Sequence, residues 1–219
     1  MARKDYRRQL ESLREGVLEM SEMVLTQLAR SLEAYAERDE ARARSVVEGD
    51  DAINDRYLDL EGDCVGLLAL QQPVAGDLRF IASSFKIITD LERVGDLAVN
   101  LAQYSMAADR NRYPDIDIEH IGRSVLRMLE DAMDAYATDD AEATTRIADT
   151  DDEIDDLCER ASAVVVRDLV DTTTSDETLL EDVSRMLLTI RDLERVGDHA
   201  VNIAARTLYM VENDDELLY

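Results

Sequence analysis

Asp90-Leu-Glu-Arg-Val-Gly-Asp-Leu-Ala-Val-Asn-Leu-Ala102 and Asp192-Leu-Glu-Arg-Val-Gly-Asp-His-Ala-Val-Asn-Ile-Ala204 are one stretch written twice, agreeing at eleven of thirteen positions at an offset of 102. Identity at that level marks an internal duplication. Earlier in each half, Asp50-Asp-Ala-Ile-Asn-Asp55 pairs with Asp151-Asp-Glu-Ile-Asp-Asp156 at an offset of 101, so the copies differ by one residue in length between the matched stretches. Asn111 to Asp117, which contains Pro114, reads as the linker, and the chain divides into units of residues 1–112 and 113–219.

Outward from these stretches the pattern is helical. The chain has only 2 prolines and 8 glycines to break helices, and strand-like alternation is missing. Leu10, Leu13, Val17, Met20, Val24, Leu28, Leu32 and Tyr35 stand three or four residues apart and form one face of a long amphipathic helix. A break at Glu37 to Asp39 precedes a second helix through Val46, Ile53, Leu60 and Leu67, which ends before Gln72-Pro73, and a third runs from about Ala75 to Arg110. After the linker the sequence predicts helices at Ile118 to Tyr136, at Asp140 to Leu169 and, beyond a Thr172 to Ser175 loop with capping chemistry, to about Glu212. The fold class is all-α, with six long helices forming two tandem three-helix bundles.

Composition narrows the function. Apolar residues at 46% and charged residues at 34% exclude a disordered chain. The apolar runs fall short of the roughly 18 residues that read as a membrane span, and the basic start has no apolar stretch behind it to form a signal peptide, so a cytoplasmic location is expected. Cys64 and Cys158 have neither disulfide nor zinc spacing and read as buried apolar side chains. Against 24 basic residues stand 50 acidic ones, a formal net charge of -26, and this field repels nucleic-acid phosphates, so no direct nucleic-acid partner is expected. Lys4 and Lys86 are the only lysines; acid excess with almost no lysine points to a halophile.

Packing would keep apolar residues in a duplication and let polar ones drift, yet here the polar ones agree. Glu92 and Asp96 lie four apart, with Asn100 a turn further; Glu194, Asp198 and Asn202 repeat them. Like charges at that spacing cost a few tenths of a kcal/mol, so something must offset them. The offset is either the neighbouring Arg93 and Arg195 with solvent, or a cation. Asp50 with Asn54, and Asp151 with Asp155, add a second oxygen pair on another helix of each unit, and facing pairs would give an oxygen-rich, roughly octahedral site suited to manganese or magnesium. Gly95 and Gly197 sit inside helices beside these acids, where glycine costs about 1 kcal/mol relative to alanine, and imply either close helix packing or tight space beside the acids. The two histidines, His120 and His199, read as isolated surface or packing residues.

At this motif the sequence resembles the PhoU family of phosphate-signalling regulators associated with the phosphate-specific ABC transporter. The likeness runs through Gln9-Leu-Glu-Ser-Leu-Arg14, Val47-Glu-Gly-Asp50, Ile53-Asn54, Gln72-Pro73, Asp77-Leu-Arg79 and Leu-Glu-Arg-Val-Gly-Asp in both halves. The resemblance implies a six-helix fold, metal clusters of iron or zinc on acid-x-x-x-Asp motifs, a homodimer, and negative regulation of phosphate uptake and phosphate-starvation signalling through the transporter ATPase and a signalling protein. Membrane association would come only through those partners. The motif positions are Asp151 and Asp155, Glu92 and Asp96, and Glu194 and Asp198; the fourth departs, because Asn54 follows Asp50.

The resemblance implies a regulator, not a catalyst, and no Gly-rich phosphate loop, Gly-x-Ser-x-Gly or Cys/His pair is found. The alternatives are a ferritin-like di-metal carboxylate enzyme, whose Glu-x-x-His pairs are not found here, and a metal-free helical scaffold.

The charge makes one prediction directly. The Debye length grows from about 3 Å at 1 M salt to about 30 Å at 0.01 M, so desalting should loosen the bundle by self-repulsion. The helical circular dichroism signal and its melting temperature should fall between molar and millimolar salt; identical melts would refute salt adaptation.

Overall fold

Leu13, Val17, Met20, Val24 and Leu28 are all buried, so the apolar stripe read from the sequence is the inner face of α1 (Arg3–Glu37). In the computed structural model, which describes residues 3–71, 74–107, 113, 115–172 and 177–214, five further helices follow. They are α2 (Glu40–Gln71), α3 (Ala75–Ala107), α4 (Ile118–Thr138), α5 (Ala143–Asp171) and α6 (Glu177–Glu212). The family of elements is the one expected. The capping chemistry expected of Thr173, Thr174 and Ser175 lies outside the described residues.

The sharp turns have a local cause. α1 stops where Arg38 turns left-handed, at φ 55°, a usual way to close a helix. α2 begins at once because the Arg42 backbone N–H donates to the Asp39 carboxylate at 3.0 Å, satisfying one of the free donors of a helix start. The second unit repeats the device: Asp139 has φ 55°, and the Ala143 N–H donates to Asp140 at 3.1 Å. These paired turns extend the offset of 101 to the first helix of each unit.

Within each unit every helix touches the other two. The units meet through α3 against α6 and through α1 against α4, while α2 and α5 touch only their own unit among the described residues. One hydrophobic cluster runs through all six helices, so the duplicated units share a core. The linker is partly inside it: Tyr113 and Ile116 are buried, because an apolar side chain in a connection this short finds the core within reach. Both cysteines are free and buried, as expected.

Arg14 fastens α1 to the end of α4. Its guanidinium donates to the carbonyls of Tyr136 at 2.8 Å and Ala137 at 3.3 Å and to the Asp139 carboxylate at 2.8 Å. It also lies 5.0 Å from the Phe80 ring centroid and 5.3 Å from that of Tyr136. A cation at a helix C-terminus answers both the unpaired carbonyls and the helix dipole, and the rings add a cation–π contact. No helix among the described residues is long and apolar enough to cross a membrane.

Leu28→Asp places a charge in the shared core and should unfold the first unit. Glu19→Gln, which weakens a largely exposed ion pair with Arg56 at 2.6 Å, should cost under about 1 kcal/mol. Thermal melts distinguish the two; a parent-like melt for Leu28→Asp would show that α1 is wrongly phased.

Candidate metal centre

The helix pairing brings the expected acids together in two places. α2 presents Asp50 and Asn54 to α3 with Glu92 and Asp96; α5 presents Asp151 and Asp155 to α6 with Glu194 and Asp198. The glycine between the acids of α3 and α6 lets this happen. A Cβ on Gly197 would stand 2.8 Å from Asp151 Oδ1, closer than real contacts allow, whereas one on Gly95 would meet Ile53 at 3.5 Å and Asp50 Oδ1 at 3.8 Å. Gly197 therefore makes room for a carboxylate, and Gly95 is needed less.

In the first set the acids are answered by the protein itself. Gln27 Nε2 of α1 donates to Asp50 Oδ1 at 3.0 Å and to the Gly95 carbonyl at 3.3 Å; Asn54 Nδ2 donates to Asp50 Oδ2 at 3.0 Å. Both oxygens of Asp50 thus accept from an amide. Arg93 lies 3.5 Å from Glu92 and 3.3 Å from Asp96. Burial, and next the charge of Asp96, still raise the Glu92 pKa, with Asp50 adding to the rise and Arg93 and His199 opposing it.

The second set has no such answer. Asp151 Oδ1 is buried and makes no hydrogen bond. Among the described residues no cationic side chain pairs with Asp151, Asp155, Glu194 or Asp198 within 4.0 Å. Burial first, then the charges of Asp155, Asp198, Asp152 and Glu194, push the Asp151 pKa up to about 7. Asp155 and Glu194 are raised in the same way, by burial and then by neighbouring carboxylates. The Cys158 thiol, beside Glu194, Asp155 and Asp151, is pushed up to about 12, chiefly by burial, and stays protonated.

Why the arginines behave differently is visible at the contact of α3 with α6, where sequence reasoning missed the principal residues. Asp192 is fully buried. Its Oδ2 accepts from Asn100 Nδ2 at 3.2 Å and from the Tyr104 hydroxyl at 3.0 Å, both from the other unit. Among the described residues its Oδ1 makes no hydrogen bond and is approached only by Arg191 and Arg195, at 3.6 and 3.9 Å, so Arg195 turns toward Asp192. The equivalent Asp90 is instead met by His199 Nδ1 at 2.9 Å. His199 is therefore not isolated, contrary to the sequence expectation: its step of about 100° from Asp198 aims it across the seam. Asn100 likewise leaves the acid stripe for Asp192. The signal was present, since Asp90 and Asp192 both lie in the duplicated motif and Leu97 against His199 is one of its two differences.

Among the described residues, no three His, Cys, Asp or Glu side chains form a ready metal-holding group. The chemistry of the second set nevertheless fits a hard cation: anionic oxygens only, one of them buried without a donor, and no counter-charge. The first set fits less well, because it has three carboxylates in place of four, two amides already donate to Asp50, and Arg93 supplies a positive charge beside Glu92 and Asp96.

Comparison with known proteins agrees with the duplication. The profile of the PhoU domain matches residues 17–105 and again 118–207. A Clostridium acetobutylicum protein named phosphate-specific transport system accessory protein PhoU homolog is 32% identical over 214 residues, covering 96% of this chain and 96% of that one. The Escherichia coli phosphate-specific transport system accessory protein PhoU is 32% identical over 209 residues, 94% of this chain and 85% of that one. The crystal structure of PhoU from Pseudomonas aeruginosa superposes with a TM-score of 0.89 at 32% identity, over 95% of this chain and 100% of that one.

The raised Asp151 pKa has a sign that can be checked. The folded chain holds this proton more tightly than the unfolded chain, whose aspartate titrates near 3.8, so the Asp151 contribution to stability falls as pH rises from about 4 to about 7. In chelator and constant salt, the melting temperature of the parent should fall from about pH 5.5 to about pH 7.5 more steeply than that of Asp151→Asn, which should be the more stable at the higher pH. Parallel curves would refute the uncompensated carboxylate.

Proposed function

From the premise that the chain belongs to the PhoU family, we propose that it is an accessory protein of phosphate-specific transport that restrains phosphate uptake and phosphate-starvation signalling, and that it works as a metal-binding helical adaptor. The observation that carries the transport role is likeness over nearly the whole chain to proteins bearing that name, in both units. The uncompensated acids of the second unit carry the metal-binding part. Asp151, Asp155, Glu194 and Asp198 would hold the ion, which would supply the positive charge that no side chain provides there.

The chain's own residues explain how such a site would serve an adaptor. α5 and α6 each carry two of the four acids, and like charge pushes the helices apart at that point. Gly197 lets Asp151 come close to α6, so the pair can close when the repulsion is neutralised. α6 also carries Asp192 and His199 to the other unit, so the spacing at the acids bears on the seam. The regulator acts by binding the transporter ATPase and a signalling protein, as a homodimer in the cytoplasm, with no bond of the substrate made or broken.

The role is tested in the native cell grown with ample phosphate. Deleting the gene should raise phosphate uptake and switch on phosphate-starvation genes, and the full chain immobilised in molar salt should retain the transporter ATPase. Unchanged uptake and expression in the deletion strain would overturn the regulatory role. In the purified chain, Glu194→Gln with Asp198→Asn should remove bound metal while leaving the helical signal intact, as measured by elemental analysis; metal retained in full by this variant would overturn the site.

A further inference from the structure

The offset of 101 that relates the turns also relates α1 to α4, and it sets Gln27 against Met128 and Asn54 against Asp155. At both positions the first unit has an amide that bonds Asp50, and the second has none to offer Asp151. A third difference follows from the seam: Arg93 rests on Glu92 and Asp96, whereas Arg195 is drawn toward Asp192. We propose that the two units are unequal by construction: Gln27, Asn54 and Arg93 close the first acid set to cations, and the chain takes its metal in the second unit alone. This rests on the metal-binding role proposed above.

The amide geometry makes the closure specific. Gln27 Nε2 serves two acceptors at once, the Asp50 carboxylate and the Gly95 carbonyl. Neither acceptor has a hydrogen to give, so the nitrogen must face them. Turning the amide to offer its oxygen to a cation would break both bonds and set oxygen against oxygen. Asn54 is held the same way by Asp50 Oδ2. Each Asp50 oxygen keeps a lone pair beside its amide hydrogen, but a cation there would face the partial positive charge of two amide hydrogens. It would also lack the fourth carboxylate that Asp155 gives the other unit, and would have Arg93 as a like charge beside it. Gln27 is buried, so solvent cannot compensate the lost bonds. In the second unit Met128 is buried and apolar and makes no demand on Asp151, which remains free for a cation.

Manganese(II) alone is the probe, with the full chain in molar salt, equilibrium dialysis and elemental analysis. The parent and Glu92→Gln with Asp96→Asn should bind the same amount, and Glu194→Gln with Asp198→Asn should bind none above background. Gln27→Met with Asn54→Asp should open the first set and about double the manganese bound. Met128→Gln should give Asp151 a donor, weakening binding at least tenfold while raising the metal-free melting temperature, a combination that general destabilisation does not produce. Loss of half or more of the manganese on changing Glu92 and Asp96 would overturn the asymmetry. Should the parent bind no manganese, the metal-binding role itself fails, and the asymmetry is judged by metal-free melting: Met128→Gln must raise it and Gln27→Met must lower it. The opposite pair of shifts overturns the proposal.

Discussion

A carboxylate removed from water needs donors or a counter-charge, and Asp192 is the one on which the arrangement of this molecule turns. It lies fully buried where α6 meets α3, held by Asn100 and Tyr104 from the other unit. Burial, and next the bond to Asp192, push the Tyr104 hydroxyl up to about 12, so this donor stays protonated throughout the physiological range. The bonds cross between units and so fix the register in which the duplicated bundles share their core. Asp192 also draws Arg191 and Arg195 toward itself, and that choice leaves Glu194 and Asp198 of α6 without a cation.

The duplicated motif is thus used twice to different ends. In the first unit Asp50 accepts from two amides and Glu92 and Asp96 share one arginine, and α2, α3 and α1 are tied through Gln27. In the second unit the same backbone geometry holds the partly buried Asp151 and Glu194 and the exposed Asp155 and Asp198 against one another. One substitution in the motif is enough to separate the seam contacts: His199 stands where the other copy has Leu97 and satisfies Asp90 from across the interface. Duplication supplied two equivalent frames, and a handful of side chains made one of them self-sufficient.

Much of this was legible in the sequence, for physical reasons. Apolar spacing over long stretches without breakers specifies helices, and the left-handed turns at Arg38 and Asp139 fall where the apolar stripes lapse. Gly197 announced a close approach because a glycine inside a helix needs a reason. The limits are equally physical. Each four-residue step turns about 40° past a full helical turn, so Asn100, eight residues after Glu92, is carried about 80° round and faces the other unit instead of the acids. Gln27 could not be found by looking for carboxylates, since it acts on α1 as a donor to a residue of α2. The described linker residues Tyr113 and Ile116 were read as connection because Pro114 lies between them, yet their side chains join the core.

The central claim is that the second acid set lacks an internal counter-charge and the first does not. Anomalous diffraction from crystals grown in molar salt with manganese(II) tests it most directly, because it reports the position of each ion. The account predicts an anomalous peak among Asp151, Asp155, Glu194 and Asp198 and none at Asp50, where Gln27 and Asn54 keep their hydrogen bonds. A peak of equal height at Asp50, Glu92 and Asp96, with the Gln27 amide displaced, would contradict it.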